Sequence, residues 1–187
     1  MENIENFSFE YSLSKDNYLN YFLYNANHSK TIVNNRKKSI LFLIIFMIIM
    51  LLYVNIKNFN HIQNILLVPF YILIFLLFKY YNKRKYINHF QKYIEEKLSE
   101  RVGKNFYTEF QNDKILGKEG NSESLISYKD FNEIIEIEKY IFLKIFSTET
   151  LILPKSINNF EKIKSNLKII SKEYNIPYNE ELNWEFK

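Results

Sequence analysis

Two stretches of the chain show no alternation of polar and apolar positions at all. Residues 39–56 read SILFLIIFMIIMLLYVNI and residues 62–78 read IQNILLVPFYILIFLLF, eighteen and seventeen residues without a charge. At 1.5 Å rise per residue each makes a helix of about 25–27 Å, close to the ~30 Å hydrocarbon core of a bilayer. A helix that is apolar on every face needs lipid or a large protein around it, and the rest of this chain is too short to enclose two. The pattern therefore predicts two transmembrane spans, 39–56 and 62–78. Only Lys57-Asn58-Phe59-Asn60-His61 joins them, too little to cross the bilayer again, so they are expected to form an antiparallel hairpin. Polar, patterned residues precede the first span, which argues against a cleaved signal peptide.

The flanking segments have ordinary periodicities. Phe7, Phe9, Tyr11 and Leu13 alternate with Ser8, Glu10 and Ser12, the period of a half-buried strand that needs a partner sheet. Ser14 then suits a helix N-cap with Asp16 in the first turn, and Tyr18, Leu19, Phe22 and Leu23 give that helix an apolar stripe. It is expected to lie at the bilayer surface or to pack on the other cytoplasmic part. Residues 79–103 continue the second span as a helical stalk, with Tyr86, Phe90, Tyr93, Ile94 and Leu98 near helical spacing and Gly103 suited to end it.

From residue 104 the period shortens. Phe106, Phe110, Ile115-Leu116 and Leu125-Ile126-Ser127-Tyr128 are separated by turn residues at Gln111-Asn112-Asp113 and Gly120-Asn121-Ser122. A second β group covers residues 134–137, 140–146 and 151–153, with Ser147-Thr148-Glu149-Thr150 as the hairpin turn and Pro154 closing it. Beyond it, Ile157, Phe160, Ile163, Leu167, Ile170 and Tyr174 mark the dry face of an amphipathic helix, and Glu161, Lys162, Lys164 and Lys168 the wet face. The expected architecture is an α+β membrane protein: residues 1–38 as strand and helix, 39–78 as the hairpin, 79–103 as the stalk, and 104–187 as a cytoplasmic domain. The simplest packing for that domain is one antiparallel β-sheet, joined by residues 7–13 and capped by the C-terminal helix.

Charge sets the orientation. Lys30, Arg36, Lys37 and Lys38 precede the first span and Lys79, Lys83, Arg84 and Lys85 follow the second, whereas the connecting loop offers only Lys57. The positive-inside bias then places both termini in the cytoplasm. Residues 1–98 hold 12 Lys+Arg against 6 Asp+Glu and residues 99–187 hold 13 against 15, so the basic excess is local to the spans and no nucleic-acid surface is expected. Arg36, Lys37, Lys38, Lys79, Lys83, Arg84 and Lys85 are equally suited to anchoring topology and to attracting anionic lipid head groups. Tyr53, Tyr80 and Tyr81 fit an interfacial aromatic belt. Neither span contains Asp, Glu, Lys, Arg or His, which disfavours a transport subunit; Asn64 reads as an interfacial residue near a helix start.

Little in the sequence points to catalysis. There is no Cys, and Gly and Pro number three each, which removes thiolate chemistry and leaves little for a phosphate-cradling loop. His28, His61 and His89 fall in separate segments without a second ligand at metal spacing. Glu133, Glu136 and Glu138 read as a solvated face. No cofactor, no metal and no enzymatic activity are expected.

The N-terminal FSFEYSLSKDNYLNY, the two-span hairpin and the run SYKDFNEIIEIEKYIFLKIFSTETLILPK together resemble the YcxB-like family of small bacterial membrane proteins over nearly the whole chain. In that run Tyr128 precedes Asp130 and a strand pair, and the second hairpin ends at Pro154-Lys155. The resemblance implies a multi-pass protein of the bacterial inner membrane whose β-rich domain is pleckstrin-homology-like, and it supplies no catalytic residues. Tyr128, Asp130, Glu136 and Lys155 are then the candidate interaction surface. The partners expected are the lipid bilayer, with anionic lipid head groups or a protein as ligand, and a homo-oligomer is left open. Two functions follow: a non-catalytic, membrane-tethered binding module, or a membrane immunity factor against a toxin or bacteriocin.

Overall fold

The structure is a computed structural model that describes residues 4–56, 61–146 and 149–186, with the side chains of residues 61–64 outside the description. Among these residues the chain forms four α-helices, α1 (Lys15–His28), α2 (Lys30–Asn55), α3 (His61–Lys97) and α4 (Phe160–Glu173). It also forms eight strands: β1 (Phe7–Ser12), β2 (Asn105–Phe110), β3 (Lys114–Glu119), β4 (Ser122–Ser127), β5 (Phe131–Ile137), β6 (Tyr140–Ile145), β7 (Thr150–Pro154) and β8 (Tyr178–Glu181). Contacts divide the chain into two compact units, Met1–Tyr21 with Tyr93–Glu185, and Phe22–Lys92 with Phe186–Lys187. Both α1 and α3 continue from one unit into the other. Of the expected connecting loop at residues 57–61, the first four lie outside the described residues, as do the turn residues Ser147 and Thr148, and His61 is instead the first residue of α3.

The first unit is α+β, but it holds two sheets where the sequence pattern suggested one. β1-β2-β3-β4 is an antiparallel meander, and β7-β6-β5-β8 is a separate sheet in which β8 runs parallel to β5. The break falls at a single 3₁₀ turn, Tyr128–Asp130. There the Tyr128 amide donates to the Asp113 carbonyl at 3.1 Å and its hydroxyl donates to the Gln111 carbonyl at 2.6 Å. These bonds fasten the end of β4 to the β2–β3 turn, so the chain turns a corner and β5 pairs forward with β6 instead of back onto β4. The parallel strand β8 is four polar-rich residues, YNEE, with no periodicity to announce it.

β1 pairs with β2 in the register Phe7↔Phe110 and Tyr11↔Phe106. The aromatic alternation of β1 is thereby spent on cross-strand stacking, with ring centroids 5.4 Å apart for Phe7–Phe110 and 5.6 Å for Tyr11–Phe106. Pairs of this kind contribute about 0.5–1.5 kcal/mol beyond the area they bury. Gly103, at φ +77°, turns the chain from the end of α3 into β2, and its amide donates to the Leu13 carbonyl at 2.9 Å. A side chain at that positive φ would be strained.

The second sheet is buried on both faces, which explains why β6 (YIFLKI) reads as a near-continuous apolar run. One face, with Ile134, Ile141, Leu143 and Leu153, packs on Ile163, Leu167 and Ile170 of α4, in one core with Phe110, Ile115 and Tyr128 of the first sheet and its corner. The opposite face is covered by the first half of α1. Asn17 and Asn20 donate to the Tyr140 hydroxyl at 3.1 and 3.4 Å, Tyr21 donates to Thr150 at 3.1 Å, and the Tyr21 ring meets Phe142 edge-on at 5.6 Å. The first half of this helix thus packs on the β-rich unit. Its start is set by a reciprocal cap, in which the Ser14 hydroxyl accepts from the Asn17 amide at 3.3 Å and the Asn17 side chain accepts from the Ser14 amide at 2.6 Å.

Replacing Tyr21 and Phe142 by Ala singly and together tests this cover. Urea unfolding of the full chain in detergent should give a coupling energy of about 0.5–1.5 kcal/mol between the two sites. Strictly additive losses would mean that α1 does not hold the sheet.

Candidate functional site

The four residues proposed as an interaction surface do not form one. Tyr128 is fully buried at the corner between the sheets, its ring set edge-on to Tyr174 at 5.4 Å. Glu136 is 1% exposed. Lys155 is half-buried against Glu136, and Asp130 alone of the four is exposed. The reason is the two-faced burial of the second sheet, which turns the residues of β5 and its preceding corner inward.

Glu136 instead centres a clasp made by four elements. β5 carries the carboxylate, on the α4 side of the sheet with Ile134. Lys155 follows β7, Lys164 lies one turn into α4, and Tyr178 opens β8. The Lys155 and Lys164 ammonium groups donate to Oε1 at 2.6 and 2.8 Å, and the Tyr178 hydroxyl donates to Oε2 at 2.7 Å. Burial pushes the Glu136 carboxyl up, but the hydrogen bonds from Lys155, Lys164 and Tyr178 outweigh it and hold the group at about 2. The bond to Glu136 raises Lys164, and burial followed by the same bond raises Tyr178. Glu133 makes a second tie across the sheet, accepting from Lys144 at 3.1 Å and from the Asn179 side chain at 2.6 Å.

The chemistry of such a clasp is structural. A carboxylate fixed as the anion, with its lysine and tyrosine partners fixed as donors, has no group poised to exchange a proton near neutral pH. Sequence reasoning placed Glu136 and Lys164 on wet faces. A glutamate flanked by Ile134, Ile135 and Ile137, and a lysine spaced four from Phe160 and three before Leu167, were the available signals that both belong to the dry side. Tyr178, on the short strand β8, gave none.

The second unit carries the other candidate. α2 and α3 are long and apolar enough to cross a membrane, and their apolar stretches are not covered by the described chain; Phe42, for example, is 74% exposed and Ile65 69%. At one end of these stretches the Arg36 guanidinium of α2 sits 5.8 Å over the Tyr86 ring of α3 and 5.2 Å over Phe186, and it donates to the Asn27 side chain at 3.2 Å. That contact brings the basic run Arg36, Lys37 and Lys38 to the level of Lys83, Arg84 and Lys85, with Lys79 about 6–9 Å away toward the start of α3. Apart from Arg36 these side chains are exposed. The Phe22 and Phe90 rings stack at 5.6 Å and fasten α1 to α3 in the same unit.

The histidines stay separate. His28 stacks on Tyr24 at 4.2 Å and His89 meets Phe90 edge-on at 5.3 Å, while the side chains of His61 and Asn64 lie outside the description. Among the described residues no group of three His, Asp or Glu side chains gathers at metal-binding distance.

With this geometry in place, the comparisons give a class for part of the chain. Residues 110–164 match the sequence model of YcxB-like protein. The matched stretch runs from the last residue of β2 into α4, and so covers the corner, the second sheet's antiparallel strands and the Glu136, Lys155 and Lys164 members of the clasp. It is narrower than the resemblance read from the sequence, since β1 and the two long apolar helices fall outside it. Neither a curated protein nor a solved structure matches the chain.

The clasp predicts a pH dependence. Because Glu136 titrates near 2 when folded and near 4.5 ordinarily, its stabilisation is complete above pH 4.5 and is lost as the pH falls toward 2. Glu136→Gln should cost about 3–5 kcal/mol at pH 7, as expected when one partner of a buried ion pair is removed. In denaturant titrations the gap to the wild type should close below pH 4.5; a constant gap down to pH 2 would rule out an ionised clasp.

Proposed function

We propose that this protein is a non-catalytic binding module tethered to the bacterial inner membrane by a two-span hairpin, with both termini and the β-rich unit in the cytoplasm. The observation that carries the reading is the pairing of β1 with β2. These strands are hydrogen-bonded neighbours, yet α2 and α3 lie between them in the chain. If those helices cross a bilayer, they must do so an even number of times, because the chain has to return to the sheet it left. The uncovered apolar surface of both helices supports the crossing, and the seven cations at one end, against a single lysine in the sequence that joins the two helices, favour the cytoplasmic side for the sheets.

The β-rich unit fits a pleckstrin-homology-like module in its order of parts: four antiparallel strands, three more, then a closing helix. In this reading the hairpin is an insertion between the first two strands, and β8 is an addition after the helix. The Glu136 clasp supports binding over catalysis, since its carboxylate is committed to hydrogen bonds with Lys155, Lys164 and Tyr178.

Single cysteines placed at Ser29, Asn58 and Ser171 test the topology with a membrane-impermeant thiol reagent. In intact cells Asn58→Cys should label, and Ser29→Cys and Ser171→Cys should label only after permeabilisation. Labelling of Ser171→Cys in intact cells would reverse the orientation.

A further inference from the structure

The charges of the chain are partitioned between its two units. Residues 22–92 and 186–187 hold 11 Lys+Arg and no Asp or Glu, so all 21 carboxylate side chains belong to the other unit, which carries 14 Lys+Arg. The helical unit is thus net +11 and the β-rich unit net −7. No acidic side chain of the helical unit can neutralise its cations. The Arg36 contact with Tyr86 and Phe186 then concentrates six of them, Arg36, Lys37, Lys38, Lys83, Arg84 and Lys85, at one level of the two helices.

We propose that this level is a collar that binds anionic phospholipid head groups, a role beyond setting orientation. The inference rests on the membrane-spanning reading of α2 and α3. A complementary partner must present negative charge directly beside hydrocarbon, because the cations border a charge-free apolar surface. Tyr80 and Tyr81, 62% and 63% exposed, sit about one turn from Lys83–Lys85 on the apolar side, where an interfacial aromatic belt meets the head groups. Lys79 lies on that apolar side too, and its long stem reaches back toward the same plane. A nucleic acid or an acidic peptide offers the charge without the adjoining hydrocarbon, and a free phosphate lacks the hydrocarbon altogether. Arg36, held by Asn27 and two rings, positions the collar; the exposed lysines meet the lipid.

The test uses the full chain reconstituted in phosphatidylcholine vesicles with trace spin-labelled phosphatidylcholine or phosphatidylglycerol, and reads the association of each with the protein from its motionally restricted fraction. The anionic lipid should associate several-fold more strongly at low salt, and the preference should shrink at high salt. K37Q/K38Q/K83Q/K85Q should abolish the preference, and K37R/K38R/K83R/K85R, which keeps the charge, should retain it. Equal association of the two lipids with the wild type would overturn the collar while leaving the spanning helices in place, as would a glutamine variant that keeps the full preference. No restricted fraction for either lipid would overturn the spanning helices, and the collar with them.

Discussion

The structure depends on the antiparallel bond between β1 and β2 across everything that lies between them. Phe7 faces Phe110 and Ser12 faces Asn105, so residues 13–104 form a closed loop whose ends are neighbouring strands. A flexible loop of that length costs a few kcal/mol to close, rising only about 0.6 kcal/mol for each doubling of length. Here most of the loop is helix, which leaves few free dihedrals and makes closure cheaper than for a random chain. The helices must nevertheless return the chain to the strand edge in register. The Phe22–Phe90 stack and the Arg36–Tyr86 contact tie the outgoing and returning segments together, and Gly103 makes the last turn onto the sheet.

Once β1 is in place, the chain leaving it is already next to the second sheet. α1 begins at Lys15, and its first two turns supply the polar and aromatic side chains that cover Tyr140 and Phe142. The N-terminal residues therefore serve both sheets, one by strand pairing and the other by helix packing. On the far side of the second sheet α4 plays the corresponding part, and the N-terminus reaches it too: the Asn166 side chain donates to the Glu5 carbonyl at 2.7 Å and accepts from the Glu5 amide at 3.2 Å. An unpaired backbone segment is thus satisfied by a buried side chain.

The features legible in the sequence were those with a strong local pattern: the two unbroken uncharged runs, the alternation at residues 7–13, and the apolar stripe of α4. What escaped depends on tertiary burial. Glu136 sits in EIIEIE, where alternation suggests a wet face, but β5 is covered on both sides, and the nearest oppositely charged groups arrive from β7 and α4. Tyr128 reads like any aromatic at a strand end; its burial follows from the corner it fastens, and burial raises its hydroxyl well above the ordinary tyrosine range. β8 was invisible because its pairing with β5 comes from outside its own sequence. Glu133, Asn179, Glu136 and Tyr178 hold it by side-chain bonds, where a longer strand would rely on apolar area.

The clasp and the collar use the same residue types to opposite ends. In the clasp two lysines converge on one buried carboxylate, whose two oxygens accept from Lys155, Lys164 and Tyr178 inside the chain. The helical unit contains no Asp or Glu side chain, and the aromatic residues around Arg36 hold its guanidinium over the faces of their rings. Like charges gathered at the rim of an apolar surface repel one another, and a solvated anion relieves that repulsion only weakly at physiological ionic strength. In the proposed collar a layer of phosphates beside hydrocarbon would relieve it without moving the lysines from the positions the helices give them. The segregation of all Asp and Glu side chains into the β-rich unit would then give the helical unit a chemical preference that its hydrophobic length alone would not.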